Sequence, residues 1–337
     1  MTEPSRRPAG LRSWLTANGR LEFCLTLASV TLLTGACVAL VLVPRHVGGL
    51  QLAGDEAEVL GTTEGLDDPR LTPVRRDLQP YGPILVRRVA VESAPDALLV
   101  AHPEHRADLA VLERELAPAI DAVSAVWGGD WNRAPTIVVA GTPTEFTALT
   151  RSAGIAAAAD VAAVSLTGSY PPGTTPTDQR IVFNPDARRR VGDEGLATLL
   201  RHELTHVATR AATTDGAPLW LLEGYAEYVA QRGQGSTFSQ IAPTLTTRLR
   251  AGTLPTDLVT DTEFTGTDAP YAYEAAWSAC AYLADRYGDA RLTALYQRLA
   301  TGPQSAAAQD AAFTAVFGTT RAELLGGWQA WLRAHTV

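Results

Sequence analysis

No lysine occurs anywhere in the 337 residues, so all 28 basic side chains are arginine. They are outnumbered by 36 aspartates and glutamates, and the net charge of -8 gives no electrostatic footprint for a nucleic-acid partner. Cysteine is scarce as well. Cys24, Cys37 and Cys280 cannot build a disulfide framework for a chain of this length, and no C-x-x-C pair offers thiolates to a metal. Cys280, between Ala279 and Ala281 in a helical pattern, reads as a core thiol. No segment repeats at a fixed period, which excludes a solenoid. The 46% hydrophobic content excludes disorder throughout and suffices for one large or two ordinary domains.

Charge is missing altogether from Phe23 to Val43, a run of about 21 residues that is long enough to cross a ~30 Å hydrocarbon core. Arg6, Arg7, Arg12 and Arg20 precede it and only Arg45 follows closely, so the positive-inside rule puts the N-terminus in the cytoplasm and the rest outside. A cleaved signal peptide is the alternative, but the apolar run is long for one and no A-x-A site stands before Pro44. Thr34-Gly35-Ala36-Cys37 resembles a lipobox only in part, since threonine replaces the usual leucine and the run continues past Cys37. The expectation is therefore a cytoplasmic tail (1–22), a single membrane-spanning helix (23–43) and an extracytoplasmic remainder. From Gly48 to Pro80 acidic and small residues dominate without strong periodicity, and 44–85 reads as a flexible acidic stalk.

Residues 86–337 read as the folded domain. Val89–Val91 and Ala97–Val100 suggest strands around a Pro95-Asp96 turn, Ala107–Trp127 a helix, Pro135–Ala140 a strand, and Thr142 and Thr144 a helix start leading to Leu149. Val161–Leu166 and Arg180–Asn184 are two further β-like runs. Beyond Asn184 the pattern is helical: Glu194–Thr209, Leu219–Gln231, Ile241–Leu249, Tyr273–Tyr287, Arg291–Ala300, Ala306–Phe317 and Arg321–His335, broken at glycines and prolines. The fold class is α+β, a mixed sheet with helices followed by a mainly α-helical half.

Within Glu194–Thr209 lies His202-Glu203-Leu204-Thr205-His206, an H-E-x-x-H. Imidazoles four residues apart on a helix differ by about 40° around its axis, so both can face one metal ion. Glu203 stands at the edge of that face, where it can reach a metal-bound water as a general base without being a ligand. Chance would produce the pattern in roughly 0.5% of chains of this composition. A catalytic zinc needs a third protein ligand and an open fourth position. The next helix, Trp220-Leu221-Leu222-Glu223-Gly224-Tyr225-Ala226-Glu227-Tyr228, offers Glu223, a carboxylate in an apolar setting that needs a partner or a metal. Glu227, four residues on, shares its face and could accept the free ring N–H of a ligating histidine. Spacing alone leaves open which glutamate binds the metal. Tyr271 and Tyr273, at the start of a later helix, are candidates for a second electrophile that holds the oxyanion, with Tyr273 preferred.

These motifs resemble those of the gluzincin metallopeptidases, the thermolysin-like, peptidase MA-like group, whose third zinc ligand is a glutamate on the following helix. The W-L-x-E-G-x-A setting, with Tyr282-Leu283-Ala284-Asp285-Arg286-Tyr287-Gly288, is more specifically similar to a bacterial extracytoplasmic, membrane-anchored subgroup. The resemblance covers roughly residues 180–290. It implies a zincin-like fold, Zn2+ on His202, His206 and Glu223, Glu203 as the base that passes a proton to the leaving amine, and Glu227 behind the first histidine. It also implies that Ile181, Val182, Phe183 and Asn184 form the edge strand that pairs with an extended peptide or protein substrate. A rival of another class is a non-catalytic binding module that keeps the fold; Glu203 argues against it, because binding needs no base. His102 and His105, beside Pro103, read as surface residues, and nothing in the sequence specifies cleavage preference or oligomeric state.

Overall fold

The computed structural model describes residues 68–150, 161–168, 170, 174, 176 and 178–335. The expected tail, membrane span and most of the stalk lie outside the described residues. Among the described residues no helix is long and apolar enough to cross a membrane.

A five-stranded mixed sheet is built from β1 (Leu85–Val89), β2 (Ala97–Ala101), β3 (Thr136–Val139), β4 (Ala163–Thr167) and β5 (Gln179–Phe183), in the spatial order β1-β2-β3-β5-β4. The three central strands, β2, β3 and β5, run parallel, and each edge strand pairs antiparallel with its neighbour. Central strands of this kind are covered on both faces and read as continuous apolar runs, as Ala97–Ala101 does. Side-chain alternation then divides the sheet between two cores. Leu98, Val100, Val138, Val164 and Val182 face one layer with α1 (Leu71–Leu78) and α3 (Pro143–Thr150). Leu99, Ile137, Ala163, Ile181 and Phe183 face the larger core with α2 (Arg106–Trp127) and α4 (Ala187–Thr209).

The folded body begins before residue 86. Leu71, Val74 and Leu78 of α1 are buried beneath the sheet with Ile84. The Arg70 guanidinium pairs with Asp68 at 2.8 Å and donates to Ala134 O at 3.1 Å, tying the start of α1 to the start of β3. The C-terminal end of the expected stalk, residues 68–85, is thus part of the domain. The charged run Arg75-Arg76-Asp77 masked an apolar i, i+3, i+7 stripe that buries a helix.

The C-terminal half is helical: α4, α5 (Leu219–Gln231), α6 (Phe238–Ile241), α7 (Pro243–Arg250), α8 (Ala269–Tyr287), α9 (Asp289–Leu299), α10 (Ala306–Phe317) and α11 (Arg321–His335). Gly192, with a φ of 74°, breaks α4 near its start, so the segment bearing H-E-x-x-H is a separate straight stretch beyond that break. Cys280 lies fully buried on α8, as a core thiol.

Candidate metal centre

The stretch of α4 from Leu199 to Thr209 is buried almost throughout, and it carries His202 and His206 inward on one face. Packing of α5 against it brings Glu223 to the same point. His202 Nε2 and His206 Nε2 are 3.0 Å apart, and Glu223 Oε2 lies 3.4 Å from the first and 3.8 Å from the second. All three side chains are buried, at 1%, 8% and 2% exposure. The edge of a tetrahedron with metal–ligand bonds of about 2.0–2.1 Å is about 3.3–3.4 Å, so this donor set has the span of half-closed zinc coordination. Glu223 Oε2 is buried and makes no hydrogen bond among the described residues, an atom in need of a cation. Burial pushes the Glu223 carboxyl up, but the adjoining His206 and His202 outweigh it and hold the group below its ordinary value, ionised at neutral pH.

Glu227 takes the other side of His202. Its Oε2 lies 3.0 Å from His202 Nδ1, and its Oε1 accepts from Gln231 Nε2 at 2.8 Å. A carboxylate on Nδ1 keeps the proton there and leaves Nε2 as the lone-pair donor, the tautomer a metal requires. Spacing left the roles of the two glutamates open; the geometry places Glu223 on the Nε2 side and Glu227 on the Nδ1 side.

Glu203 is fully buried and turned toward the sheet. Its Oε2 accepts a hydrogen bond from Ser165 Oγ at 2.6 Å, while its Oε1 has no hydrogen-bond partner among the described residues. Ser165 Oγ also lies 3.0 Å from Glu203 O, and one turn further along Gln179 Nε2 donates to Val207 O at 3.0 Å. Two polar side chains from adjacent strands thereby fix α4 against the sheet margin.

The rear of α5 is set by contact with α8. At Gly224 a Cβ would stand 2.4 Å from Ala276 O, so only glycine allows this approach. Behind them Tyr225 and Tyr296 pack with ring centroids 4.8 Å apart, Tyr225 Oη bonds Thr293 Oγ1 at 2.8 Å, and Tyr296 Oη donates to Thr209 Oγ1 at 3.1 Å. The aromatic pair joins α4, α5 and α9 behind the histidines.

Residues 190–334 match the Peptidase MA superfamily model. The matched stretch takes in both histidines, Glu203, Glu223 and Glu227, together with α5 to α10 and α11 as far as Ala334. No curated protein sequence matches the chain. Solved structures with some likeness include an M1 zinc metallopeptidase from Deinococcus radiodurans, at 17% identity and a TM-score of 0.43, covering 76% of this chain and 53% of that one. A mutant of the Deinococcus radiodurans enzyme bound to a Tyr-Ser-Ala substrate gives 18% identity, a TM-score of 0.44 and the same coverage. A two-domain M1 zinc metallopeptidase mutant bound to L-arginine gives 18%, 0.45 and again that coverage. The chain thus spans about half the length of these structures, 53% in each case.

Ahead of the matched stretch, two expectations are corrected. Ile181, Val182 and Phe183 are interior: β5 pairs with β3 on one side and β4 on the other, and Asn184 follows it, buried. The strand bordering the H-E-x-x-H helix at the sheet margin is β4, Ala163–Thr167. An apolar run on both faces marks an interior strand, and order in space is not written in strand periodicity. His102 is buried rather than on the surface: its Nε2 lies 3.1 Å from each oxygen of the fully buried Glu145, and its Nδ1 2.8 Å from Pro83 O. Within the matched stretch, Tyr273 packs edge-on against Phe264 at 5.0 Å, and Tyr271 lies under the Arg248 guanidinium at 3.8 Å. Ser165 and Gln179 went unnoticed in the sequence; the only hint was a polar side chain within or beginning each of two strands rich in apolar residues.

Proposed function

We propose that this chain is a gluzincin-type zinc metallopeptidase that hydrolyses peptide bonds outside the cytoplasmic membrane, to which residues 23–43 hold it. The observation that carries the reaction is the convergence of His202 Nε2, His206 Nε2 and the Glu223 carboxylate, all ligand atoms lying within 4.8 Å of one another in the interior. The membrane part rests on the uncharged run and on the arginines ahead of it.

His202, His206 and Glu223 would hold the zinc, a three-residue donor set that leaves a coordination position for the reaction. The chemistry a bound zinc supplies is a water acidified to a pKa of about 7 and a polarised scissile carbonyl. Glu203 takes the proton of the attacking water as the new C–O bond forms, and returns it to the departing nitrogen as the C–N bond breaks. Glu227 fixes the His202 ring. An extended peptide adds to the outer margin of β4, which pairs with no further strand among the described residues. The test is the zinc content of the full chain in detergent, together with hydrolysis of a quenched fluorescent peptide library before chelation, after it, and after zinc is restored.

A further inference from the structure

We propose that Ser165 is a positioning residue for Glu203: it pins one carboxylate oxygen so that the other faces the attacking water. The inference rests on the metallopeptidase reading above. A serine has one hydroxyl proton, and the 2.6 Å contact from Ser165 Oγ to Glu203 Oε2 lies in the range of about 2.5–2.7 Å for an O–H···O− bond. The proton therefore goes to the carboxylate rather than to Glu203 O at 3.0 Å.

The carboxylate is half satisfied. Glu203 is fully buried, with Oε2 held and Oε1 without a hydrogen bond among the described residues. An unpaired oxygen in the interior is unfavourable; buried Glu274 leaves one open as well, but Glu203 does so one residue from His202, on the helix that carries the donor set. An oxygen left open is what a base needs. The terminal torsion of glutamate is broad and two-fold, so an unpinned carboxylate would swap its oxygens and lose its aim. Ser165 removes that freedom. It does so from β4, the strand to which a substrate backbone would add, so one element sets both the substrate and the base. Within Ala163-Val164-Ser165-Leu166 the serine is the only polar residue, on the same face as Ala163 and turned toward α4.

The experiment compares the full-length wild type with S165A, S165C and S165T. S165C is close in size with only a weak donor, and S165T keeps the hydroxyl. S165A and S165C are expected to bind zinc as the wild type does and to lose about 10- to 100-fold in kcat on the peptide library at unchanged KM, with S165T recovering most of it. In chelated protein, the carboxylate infrared band of Glu203, isolated by difference against Glu203→Gln, should shift in S165A and S165C and stay in place in S165T. Full kcat in S165A, an unshifted band, or zinc lost together with kcat would overturn the inference. A wild type without zinc-dependent cleavage would overturn the reading of the reaction, and this inference with it. Full activity in S165A overturns only the inference.

Discussion

Gly224→Ala tests how the third ligand is placed. The added methyl would meet Ala276 O at 2.4 Å, Ala276 C at 2.7 Å and Cys280 Sγ at 3.0 Å. An ordinary carbon–oxygen contact is about 3.3–3.6 Å, so α5 must move from α8 by about 1 Å. Two effects oppose each other. Helix propensity favours alanine over glycine by about 0.8–1.0 kcal/mol, whereas forcing a methyl into a packed interior costs about 1–3 kcal/mol and often more against backbone. The nearest obstacle is a main-chain carbonyl, which cannot turn aside, so packing wins by about 1–2 kcal/mol. At about 2–4 °C per kcal/mol for a domain of this size, the melting temperature of chelated protein should fall by about 2–8 °C. The larger effect is on the metal. Glu223 and Glu227 flank the substituted position, and ligand distances tolerate only about 0.2 Å, so zinc affinity should fall by about tenfold or more. Calorimetry of the chelated protein and competition with a chromogenic chelator measure the two. Cys280→Ala added to Gly224→Ala should not rescue either quantity, because Ala276 O is the closer contact. A melting temperature raised by alanine, with zinc affinity intact, would refute the close approach.

Two further consequences follow from named contacts. Glu227→Ala removes the acceptor on His202 Nδ1 while disturbing little packing, and zinc affinity should drop by about 10- to 100-fold with hardly any change in the melting temperature of chelated protein; unchanged affinity would show that Glu227 does not orient the ring. His102 has its pKa raised, chiefly by the hydrogen bond to Glu145 and against the opposing effect of burial. A raised folded pKa contributes stability that is complete below the ordinary histidine value near 6.5 and is lost as pH rises through the higher folded value. The denaturation midpoint of Glu145→Gln should therefore lose less than that of the wild type as pH rises through this window, and parallel curves would refute the pairing.

The legible parts of this fold were those governed by local periodicity and local chemistry. The helices Leu219–Gln231, Ala306–Phe317 and Arg321–His335 run between the residues that apolar spacing and the flanking glycines and prolines mark. The strand runs from Ala97 onward were also visible, whereas the first strand is Leu85–Val89 rather than Val89–Val91, and the H-E-x-x-H with two acidic residues on the next helix was plain. What stayed hidden depends on order in space. Ile181–Phe183, apolar on both faces, carries the mark of an interior strand, but its pattern does not say which strand lies beside it at the margin. Ser165 meets Glu203 across 38 residues and His102 meets Glu145 across 43, separations at which no spacing rule operates. Residues 71–78 show a different failure: three well-spaced apolar side chains were outweighed by the charged run Arg75-Arg76-Asp77, and an acidic neighbourhood extended the stalk too far.

The central claim, that the buried donor set supports zinc-assisted hydrolysis with Glu203 as the base, is tested most directly by full-length wild type against Glu203→Gln. The substitution keeps the size of the side chain and leaves His202, His206 and Glu223 in place. Both proteins should bind about one zinc per chain. The wild type should cleave the peptide library and lose that activity on chelation, and Glu203→Gln should lose at least about 10²-fold in kcat while retaining its zinc. Full activity in the zinc-loaded Glu203→Gln protein, or a wild type that binds no zinc, would contradict the account.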